Sequence, residues 1–263
     1  MAKRYEFLQV TRDGPVERVA LDRPEVRNAF NEGMIRELRD WAERAAGDGG
    51  LRVAILEGRG RAFSAGADLA WMARVASYTR EENLRDASAL AAMFASLDRL
   101  PKPLVGRVHG AALGGGSGLV AVCDIVVADE EAVFGFTEVR LGLTPAVIAP
   151  YVIRKTGQSA ARELFLRGAR FGAARAREIG LVHEVAASGT LDARIDVVVA
   201  DLLAGGPEAL AVTKQLVAEA TGRPPGDVLP ATIAAIAERR ASEEGRSGIR
   251  AFLEKGQPPW AQG

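Results

Sequence analysis

The sequence predicts an α/β fold, in which short buried strands alternate with amphipathic helices. Three observations lead to this prediction: compact apolar runs bounded by Gly or Pro, two long stretches of helical periodicity between them, and a largely helical second half. The chain has 263 residues, enough for one large core with a smaller additional region. The order strand, helix, strand, helix, strand favours sheets that are largely covered by helices.

Four segments have the character of strands. Residues 16–23 (VERVALDR) alternate between apolar and polar side chains, as a half-buried strand does. Residues 53–58 (VAILEG) and 103–108 (PLVGRV) are compact apolar runs bounded by Gly and Pro, which is typical of buried strands. Residues 123–129 (CDIVVAD) form a further predicted strand.

Two segments between these strands have helical periodicity, and we interpret their apolar stripes as core packing. The first stripe consists of Met34, Leu38, Trp41 and Ala45. The second consists of Leu90, Met93, Phe94, Leu97 and Leu100. From about residue 158 onward the sequence is almost entirely helical in pattern. Small and polar residues interrupt that pattern at 184–190, so we divide the chain into an α/β core (1–188) and a helical C-terminal region (189–263).

Composition excludes several classes of function. Lys plus Arg and Asp plus Glu number 34 each, which argues against nucleic acid as a partner. No apolar segment approaches the length of a membrane span, and the N-terminal residues lack the apolar core of a signal peptide. A single cysteine, Cys123, excludes an internal disulfide framework, and no metal-ligand spacing is present. We therefore expect a cytoplasmic protein with no membrane partner and no metal.

The segment at residues 109–124 (HGAALGGGSGLVAVCD) is unusually rich in glycine. Residues 116–121 fit the dinucleotide fingerprint formally, but about six residues separate them from the preceding strand, so the match is weak. A nucleophile elbow at Ser117 would need a glycine at position 119, which is leucine. Only His109 and His183 could serve as the base of a Ser-His triad. We interpret His183 as a surface or packing histidine and His109 as a hydrogen-bonded loop histidine.

A second turn of small residues, at positions 63–69 (FSAGADL), lies between a predicted strand and a predicted helix. Two such turns can present two convergent backbone N–H groups to one oxygen atom, as an oxyanion hole does. Helix N-termini reinforce this arrangement with their dipoles. Taken singly, each turn is better explained as a tight connection that serves topology alone.

Together, the segments resemble the enoyl-CoA hydratase/isomerase (crotonase) family. AFSAGADL, HGAALGGGSGLVAVCDIVVAD, FGFTEVRLGLTPAV and ARELFLRGARFGAARAREIGLVHEV occur in the order and spacing of that family. LDRPEVRNAF and GIRAFLEKGQPPW extend the resemblance over nearly the whole chain. It implies a spiral of ββα units, followed by a helical C-terminal region that assembles a homotrimer or a homohexamer. It also implies an acyl-CoA thioester as substrate, with coenzyme A as part of that substrate and no separate cofactor.

The resemblance assigns roles to individual residues. The thioester oxygen would lie between the backbone N–H groups of Ala67 and Gly115, and Gly114 would let the acyl chain approach. Such hydrogen bonds stabilise an enolate and make C3 of an enoyl group electrophilic. The remaining residues implied in binding coenzyme A are Ala65, Asp68 and Leu69 (mainly through backbone groups), Arg27 (alternatively a solvated arginine), and Phe252 and Lys255 from an adjacent part of the trimer.

Glu138 is the predicted acid or base, because hydratases of this family carry two glutamates and only this one is present. The other would stand at Gly118. Burial beside an acyl pocket should raise the pKa of Glu138 towards neutrality. We expect Gly118 to leave space in the substrate pocket where a second carboxylate would hold water.

Three functions stay open at this point. The first is a hydratase adding water across a 2-enoyl-CoA. The segment LTPAVIAPYV resembles members that act on branched or glutaconyl-type esters. The second is a 3-enoyl to 2-enoyl isomerase, for which one glutamate is sufficient. The third is a non-catalytic acyl-CoA-binding member, against which the two turns and Glu138 argue.

Overall fold

The computed structural model describes residues 4–261 and has the predicted α/β architecture. The strands are β1 (Leu8–Asp13), β2 (Val16–Leu21), β3 (Val53–Gly58), β4 (Leu104–Val108), β5 (Ala111–Leu113), β6 (Ile125–Asp129), β7 (Val133–Gly135), β8 (Arg170–Gly172) and β9 (Glu184–Ala186). The α-helices are α1 (Glu32–Gly47), α2 (Leu69–Val75), α3 (Arg80–Asp98), α4 (Gly115–Val122), α5 (Ala149–Arg167), α6 (Ala173–Glu178), α7 (Leu191–Ala204), α8 (Pro207–Ala220), α9 (Pro225–Ala241) and α10 (Glu243–Leu253). Short 3₁₀ helices span Pro24–Val26, Glu138–Leu141 and Pro259–Ala261.

Two sheets form the framework. The larger has the order β1-β2-β3-β4-β6-β9, in which β1 and β2 are antiparallel and every other neighbouring pair is parallel. The smaller has the order β5-β7-β8. A single bridge joins Ser64 to Ala112, so the chain leaving β3 runs alongside β5. All four segments predicted as strands lie in the larger sheet.

Local sequence explains where the principal helices begin. Helix α1 starts after Asn31, whose side chain accepts a hydrogen bond from the Met34 N–H. Helix α3 starts with a capping box between Thr79 and Glu82. Helix α4 is buried from Gly116 to Val122, because its apolar and small residues can face protein on every side.

The two faces of the larger sheet have separate apolar cores. One contains the predicted stripes of α1 and α3 together with α4. The other packs Val53, Ile55 and Val105 of the sheet against Leu191 and Ile195 of α7. Helix α7 therefore covers the sheet, although it follows the division between residues 188 and 189 drawn from the sequence.

Arg52 joins the start of β3 to the C-terminal part of the chain. Its Nη2 donates to the carbonyl oxygens of Leu203 (2.7 Å) and Gly205 (2.6 Å), and its Nη1 donates to that of Trp260 (2.6 Å). Beyond Gly205, helices α8, α9 and α10 pack on one another. They carry exposed apolar side chains, namely Val217, Leu229, Ile233, Ile236, Ile249, Phe252 and Leu253.

Residues 4–261 hold neither a membrane-spanning helix nor a cluster of metal ligands. None of the helices there combines the length and the apolar character needed to cross a membrane. The same residues contain no group of three or more His, Cys, Asp or Glu side chains placed to hold a metal ion.

Candidate active site

The turn after β3 is held by Phe30. The Phe30 N–H donates to the Gly66 carbonyl oxygen (2.6 Å), and the Asp68 N–H donates to the Phe30 carbonyl oxygen (2.9 Å). In a parallel bridge of this kind, the residue between the two hydrogen-bonded residues points its own N–H group away from the neighbouring segment. Ala67 is that residue, and within residues 4–261 its N–H has no hydrogen-bond acceptor. The Ala67 amide is therefore free to bind a ligand atom.

The second turn lies at the start of α4. Gly114 has φ +52° and ψ −122°, a conformation open to glycine and closed to most other residues. Its N–H donates to the Gly135 carbonyl oxygen (2.8 Å). Gly115 is the first residue of α4, where the helix offers its N–H no acceptor, and no other part of the described chain supplies one. The helix dipole adds partial positive charge at this point.

The two turns pack directly against each other through their backbones. The Leu113 N–H donates to the Ser64 carbonyl oxygen (2.9 Å). A Cβ atom added at Gly66 would lie 2.8 Å from the Leu113 carbonyl oxygen, and one added at Gly116 would lie 2.5 Å from that of Ser64. Glycine is required at both positions because any side chain would separate the turns. Two unpaired amides, of Ala67 and Gly115, thus lie on adjoining backbone segments.

Glu138 lies beside this pair of turns. It begins the 3₁₀ helix Glu138–Leu141, and its Oε1 is 3.2 Å from the position that a Cβ atom would take at Gly114. Its other carboxyl oxygen, Oε2, is buried, and no group in the described part of the chain donates to it. Burial raises the pKa of Glu138, opposed in part by a hydrogen bond from its own backbone amide. The group is therefore suited to exchanging protons.

Two residues that the sequence analysis missed hold the first turn in place. The buried Asn28 donates through Nδ2 to the carbonyl oxygens of Arg59 and Ala62, both at 2.8 Å. The buried Ser64 donates through Oγ to the Asn28 carbonyl oxygen at 2.9 Å. The only sequence signal was that both lie within the segments quoted for the family resemblance.

Four of the residues implied in coenzyme A binding lie in or beside the same turn, namely Arg27, Ala65, Asp68 and Leu69. The Ala65 N–H donates to the Arg27 carbonyl oxygen (2.9 Å). Arg27 is exposed, and its guanidinium group has no ion pair within residues 4–261. Leu69 is 83 % exposed. These positions leave the Arg27 and Leu69 side chains accessible from solvent.

Asp68 has a structural part in this turn. Its Oδ1 accepts from the N–H groups of Ala70 and Trp71 (2.8 and 3.0 Å), which caps helix α2, and its Oδ2 pairs with Arg23 (2.9 Å). Burial alone would raise the pKa of Asp68, but these partners outweigh it and lower the pKa. Both oxygens of the carboxylate are occupied, which leaves the backbone as the way for Asp68 to contact a ligand.

The expectation that Gly118 leaves space in the pocket is wrong. A Cβ atom added there would lie 2.3 Å from Cγ2 of Ile148 and 3.1 Å from Cε1 of Phe94. Gly118 is buried in α4, and the Ile148 side chain fills the volume beside it. The residue at position 118 is small because the core packs against it.

Phe252 and Lys255 lie far from these turns in the sequence, in helix α10 and just after it. Phe252 is in α10, which packs on α8 and α9, and its side chain is 83 % exposed. Lys255 follows α10 with φ +53°. Their assignment to coenzyme A was made for an adjacent part of a trimer, and it stays a prediction.

Sheet order, the helical C-terminal region and the paired turns define the class of protein, which is a crotonase-type α/β fold. Residues 11–263 match the sequence profile of the enoyl-CoA hydratase/isomerase family, and the chain belongs to that family.

Individual relatives agree with this assignment. A crystal structure of an enoyl-CoA hydratase from Shewanella pealeana is similar with a TM-score of 0.94 and 40 % identity, covering 98 % of this chain and 97 % of that one. The structure of Pseudomonas aeruginosa AtuE is similar with a TM-score of 0.95 and 35 % identity, covering 98 % and 100 %. The 2,3-dehydroadipyl-CoA hydratase of Escherichia coli is 34 % identical over 260 residues, which are 95 % of this chain and 97 % of that protein.

Proposed function

We propose that the protein hydrates the double bond of a 2-enoyl-CoA thioester. The observation that carries this proposal is the half-buried Glu138 carboxyl group, whose Oε2 has no donor in residues 4–261, beside the free amide of Gly115. A buried carboxyl oxygen without a hydrogen-bond donor costs stability, which is understandable where a substrate or a water molecule supplies the missing hydrogen bond.

The reaction would proceed through an enolate. The N–H groups of Ala67 and Gly115 bind the thioester oxygen and stabilise the negative charge that develops on it as water adds at C3. The Glu138 carboxylate accepts one proton from that water molecule. The resulting carboxylic acid returns a proton to C2, so that water is added overall and the enzyme is unchanged. One carboxyl group with a raised pKa suffices for both proton transfers.

Isomerisation of a 3-enoyl to a 2-enoyl thioester is the second candidate. It is favoured by the glycine at position 118, where no second carboxylate stands opposite Glu138 and where Ile148 fills the adjoining volume. A single base can move a proton between C2 and C4 without water. The non-catalytic alternative gives no reason for burying Oε2 of Glu138 without a hydrogen-bond donor.

The acyl group is proposed to be branched or of glutaconyl type. Support comes from the LTPAVIAPYV segment (residues 143–152) and from the similarity to a 2,3-dehydroadipyl-CoA hydratase. That relative's substrate, by its name, carries a second carboxyl group on the acyl chain.

A substrate screen with product identification tests the proposal. The protein is assayed with saturated, 2-enoyl and 3-enoyl thioesters of coenzyme A, including crotonyl, 3-methylglutaconyl and 2,3-dehydroadipyl esters. Mass spectrometry separates hydration, which adds the mass of one water, from isomerisation, which adds none. Conversion of 3-enoyl esters without any hydroxyacyl product would replace the hydratase with the isomerase. Binding of every ester without turnover would support the non-catalytic alternative.

A trimer or hexamer is proposed as the assembly. Helices α9 and α10 expose Ile233 (62 %), Phe252 (83 %) and Leu253 (74 %). Monomeric proteins rarely expose apolar side chains in such clusters, and closed symmetric assemblies commonly cover them.

A further inference from the structure

Helix α4 ends at a cavity of about 450 Å³ that the proposed reaction does not use. Its walls include Val122 and Cys123 from the end of α4, Lys155 from α5, and Leu210 from α8. The cavity lies at the other end of the helix from Gly115, about 12 Å away at 1.5 Å per residue. Its volume is within the range of small-molecule sites, about 300–1,000 Å³.

The charges that line this cavity do not balance. Three cations, Arg154, Lys155 and Lys214, face two carboxylates, Asp98 and Asp124, so their sum is +1. Arg154 pairs with Asp98 through Nη1 and Oδ2 (3.2 Å), and Lys214 pairs with Asp124 (2.7 Å). Each of the two carboxylates thus forms an ion pair with a cation other than Lys155, which leaves Lys155 without a carboxylate partner among the residues that line the cavity.

Lys155 has one neutral partner. Its Nζ donates to the carbonyl oxygen of Cys123, and no carboxylate in the described residues forms an ion pair with it. An ammonium group has three N–H donors, so two of them are available to a ligand. Burial lowers the pKa of Lys155, as expected for a cation that lacks a counter-charge. An anion in the cavity would supply that charge.

His183 offers a further donor on the same wall. Its Nδ1 accepts a hydrogen bond from the Val126 N–H (2.9 Å), which places the ring proton on Nε2. Burial and the nearby Lys155 lower the pKa of His183, so the ring is neutral at pH 7 and Nε2–H can donate. The rest of the wall includes the apolar side chains of Leu202, Leu210 and Val217.

We propose that this cavity binds a monocarboxylate with a short aliphatic chain. The carboxylate would accept hydrogen bonds from Lys155 and His183, and the chain would lie against the apolar side chains of α7 and α8. One unpaired cation matches a single negative charge, whereas a phosphate dianion would leave charge uncompensated in a partly apolar cavity. The site rests on residues other than those of the proposed reaction.

Calorimetric titration of the full chain with sodium octanoate tests this site, with saturating free coenzyme A present throughout. We expect octanoate to bind, and octanamide, which has the same chain without the charge, to bind at least about tenfold more weakly. Lys155→Met should weaken octanoate binding by about tenfold or more and leave octanamide unchanged. Inorganic phosphate should compete poorly with octanoate.

Two further variants keep the test decisive. Ala218→Trp places a large side chain on an exposed position of α8 that lines the cavity, and it should abolish octanoate binding while leaving the Lys155 charge intact. Arg36→Met removes a charge from the exposed face of α1 and should have no effect. Absence of octanoate binding by the wild type in the presence of saturating coenzyme A, full binding by either Lys155→Met or Ala218→Trp, or tighter binding of phosphate would each overturn the proposal. These readouts do not depend on whether the protein is a hydratase.

Discussion

Oε1 of Glu138 lies 3.2 Å from the place that a Cβ atom would occupy at Gly114. The glycine that starts the turn into α4 thus also sets how closely the carboxyl group approaches the Gly115 amide. The candidate acid–base group and the candidate oxyanion donor are positioned by one residue without a side chain. Substitutions around this contact therefore separate binding from chemistry.

Gly114→Ala should lower kcat more than it weakens coenzyme A binding. The added methyl group would lie tightly against Oε1 of Glu138, so the carboxyl group has to shift by a few tenths of an ångström, and the rate depends on the exact placement of a catalytic group. Steady-state kinetics and calorimetric titration with coenzyme A measure the two effects. Gly14→Ala is the control for a positive φ alone, since Gly14 also has φ +52° but has nothing within 4 Å of an added Cβ. Thermal melting of both variants measures the additional strain that the ψ of −122° imposes at Gly114. Near-normal kcat in a folded Gly114→Ala protein would contradict this role.

Glu138→Gln should abolish turnover and preserve coenzyme A binding. Because burial raises the pKa of Glu138 above its ordinary value of 4.5, the acid limb of the wild-type kcat/KM profile should lie above pH 4.5. The ionised carboxylate is disfavoured in the folded protein, so the glutamine variant should melt at an equal or higher temperature at pH 7. That advantage should disappear below pH 4.5, where glutamate is protonated in both states. An advantage that grows towards low pH would show that the pKa is lowered instead.

Gly115→Pro should reduce turnover through the loss of one N–H donor. Proline is accepted at the first position of a helix, but a Cβ atom at this position would lie 2.7 Å from Cε2 of Phe30. Gly115→Ala introduces the same contact and keeps the N–H group, so it is the matched control. We expect the proline variant to be slower than the alanine variant by about 10²–10³ in kcat. Equal rates would place the oxyanion donor elsewhere.

Gly118→Glu should destabilise the protein and should not make hydration faster. If the pocket were open at this position, the added carboxylate could hold a water molecule and hydration would become faster. The milder Gly118→Ala should cost about 1–3 kcal/mol, because its methyl group overlaps Ile148. Ile148→Ala should restore part of that loss in the double variant. Thermal melting at one protein concentration, analysed as a double-mutant cycle, measures the coupling. Additive effects would mean that the two residues do not touch.

Ile233→Asp combined with Ile236→Asp should dissociate the assembly. These side chains, 62 % and 49 % exposed, are three residues apart and so share one face of α9. Light scattering of the wild type should give three or six times the chain mass of 27.8 kDa, and the variant should give less. Leu166→Asp, at a 71 % exposed position in α5, should keep the assembly intact. A wild-type monomer would contradict the proposal.

Most of the longer elements of the fold were readable from the sequence, except the six-residue strand β1, and the shortest were not. A strand such as β3 has six residues and begins with an uninterrupted apolar run, VAIL, that stands out. Strands β5, β7, β8 and β9 have three residues each, which is too short for an alternation to appear. Strand β9 lies within the 184–190 segment that was interpreted as a boundary, because small residues interrupt the helical pattern there.

Only part of the candidate site could be predicted. The two turns were visible as small residues between a strand and a helix, and the family resemblance brought them together. The volume beside Gly118 depends on Ile148, 30 positions away in the chain, and no local pattern reports such a contact. The same holds for Asn28, whose side chain reaches carbonyl groups 31 and 34 residues further on.

The hydrogen bonds of Arg52 have a consequence for the order of events during synthesis. Trp260 follows Arg52 by 208 residues, which corresponds to about 10–40 s at 5–20 residues per second. During that interval β3 can pair with its neighbouring strands. The Nη1 atom of Arg52, however, has to donate to water instead of to the Trp260 carbonyl oxygen. Protein groups replace water at this atom of Arg52 only after the residues that follow α10 have been synthesised. A ribosome-bound chain and a released chain should therefore differ in solvent protection at Arg52, even where the rest of the sheet is already folded.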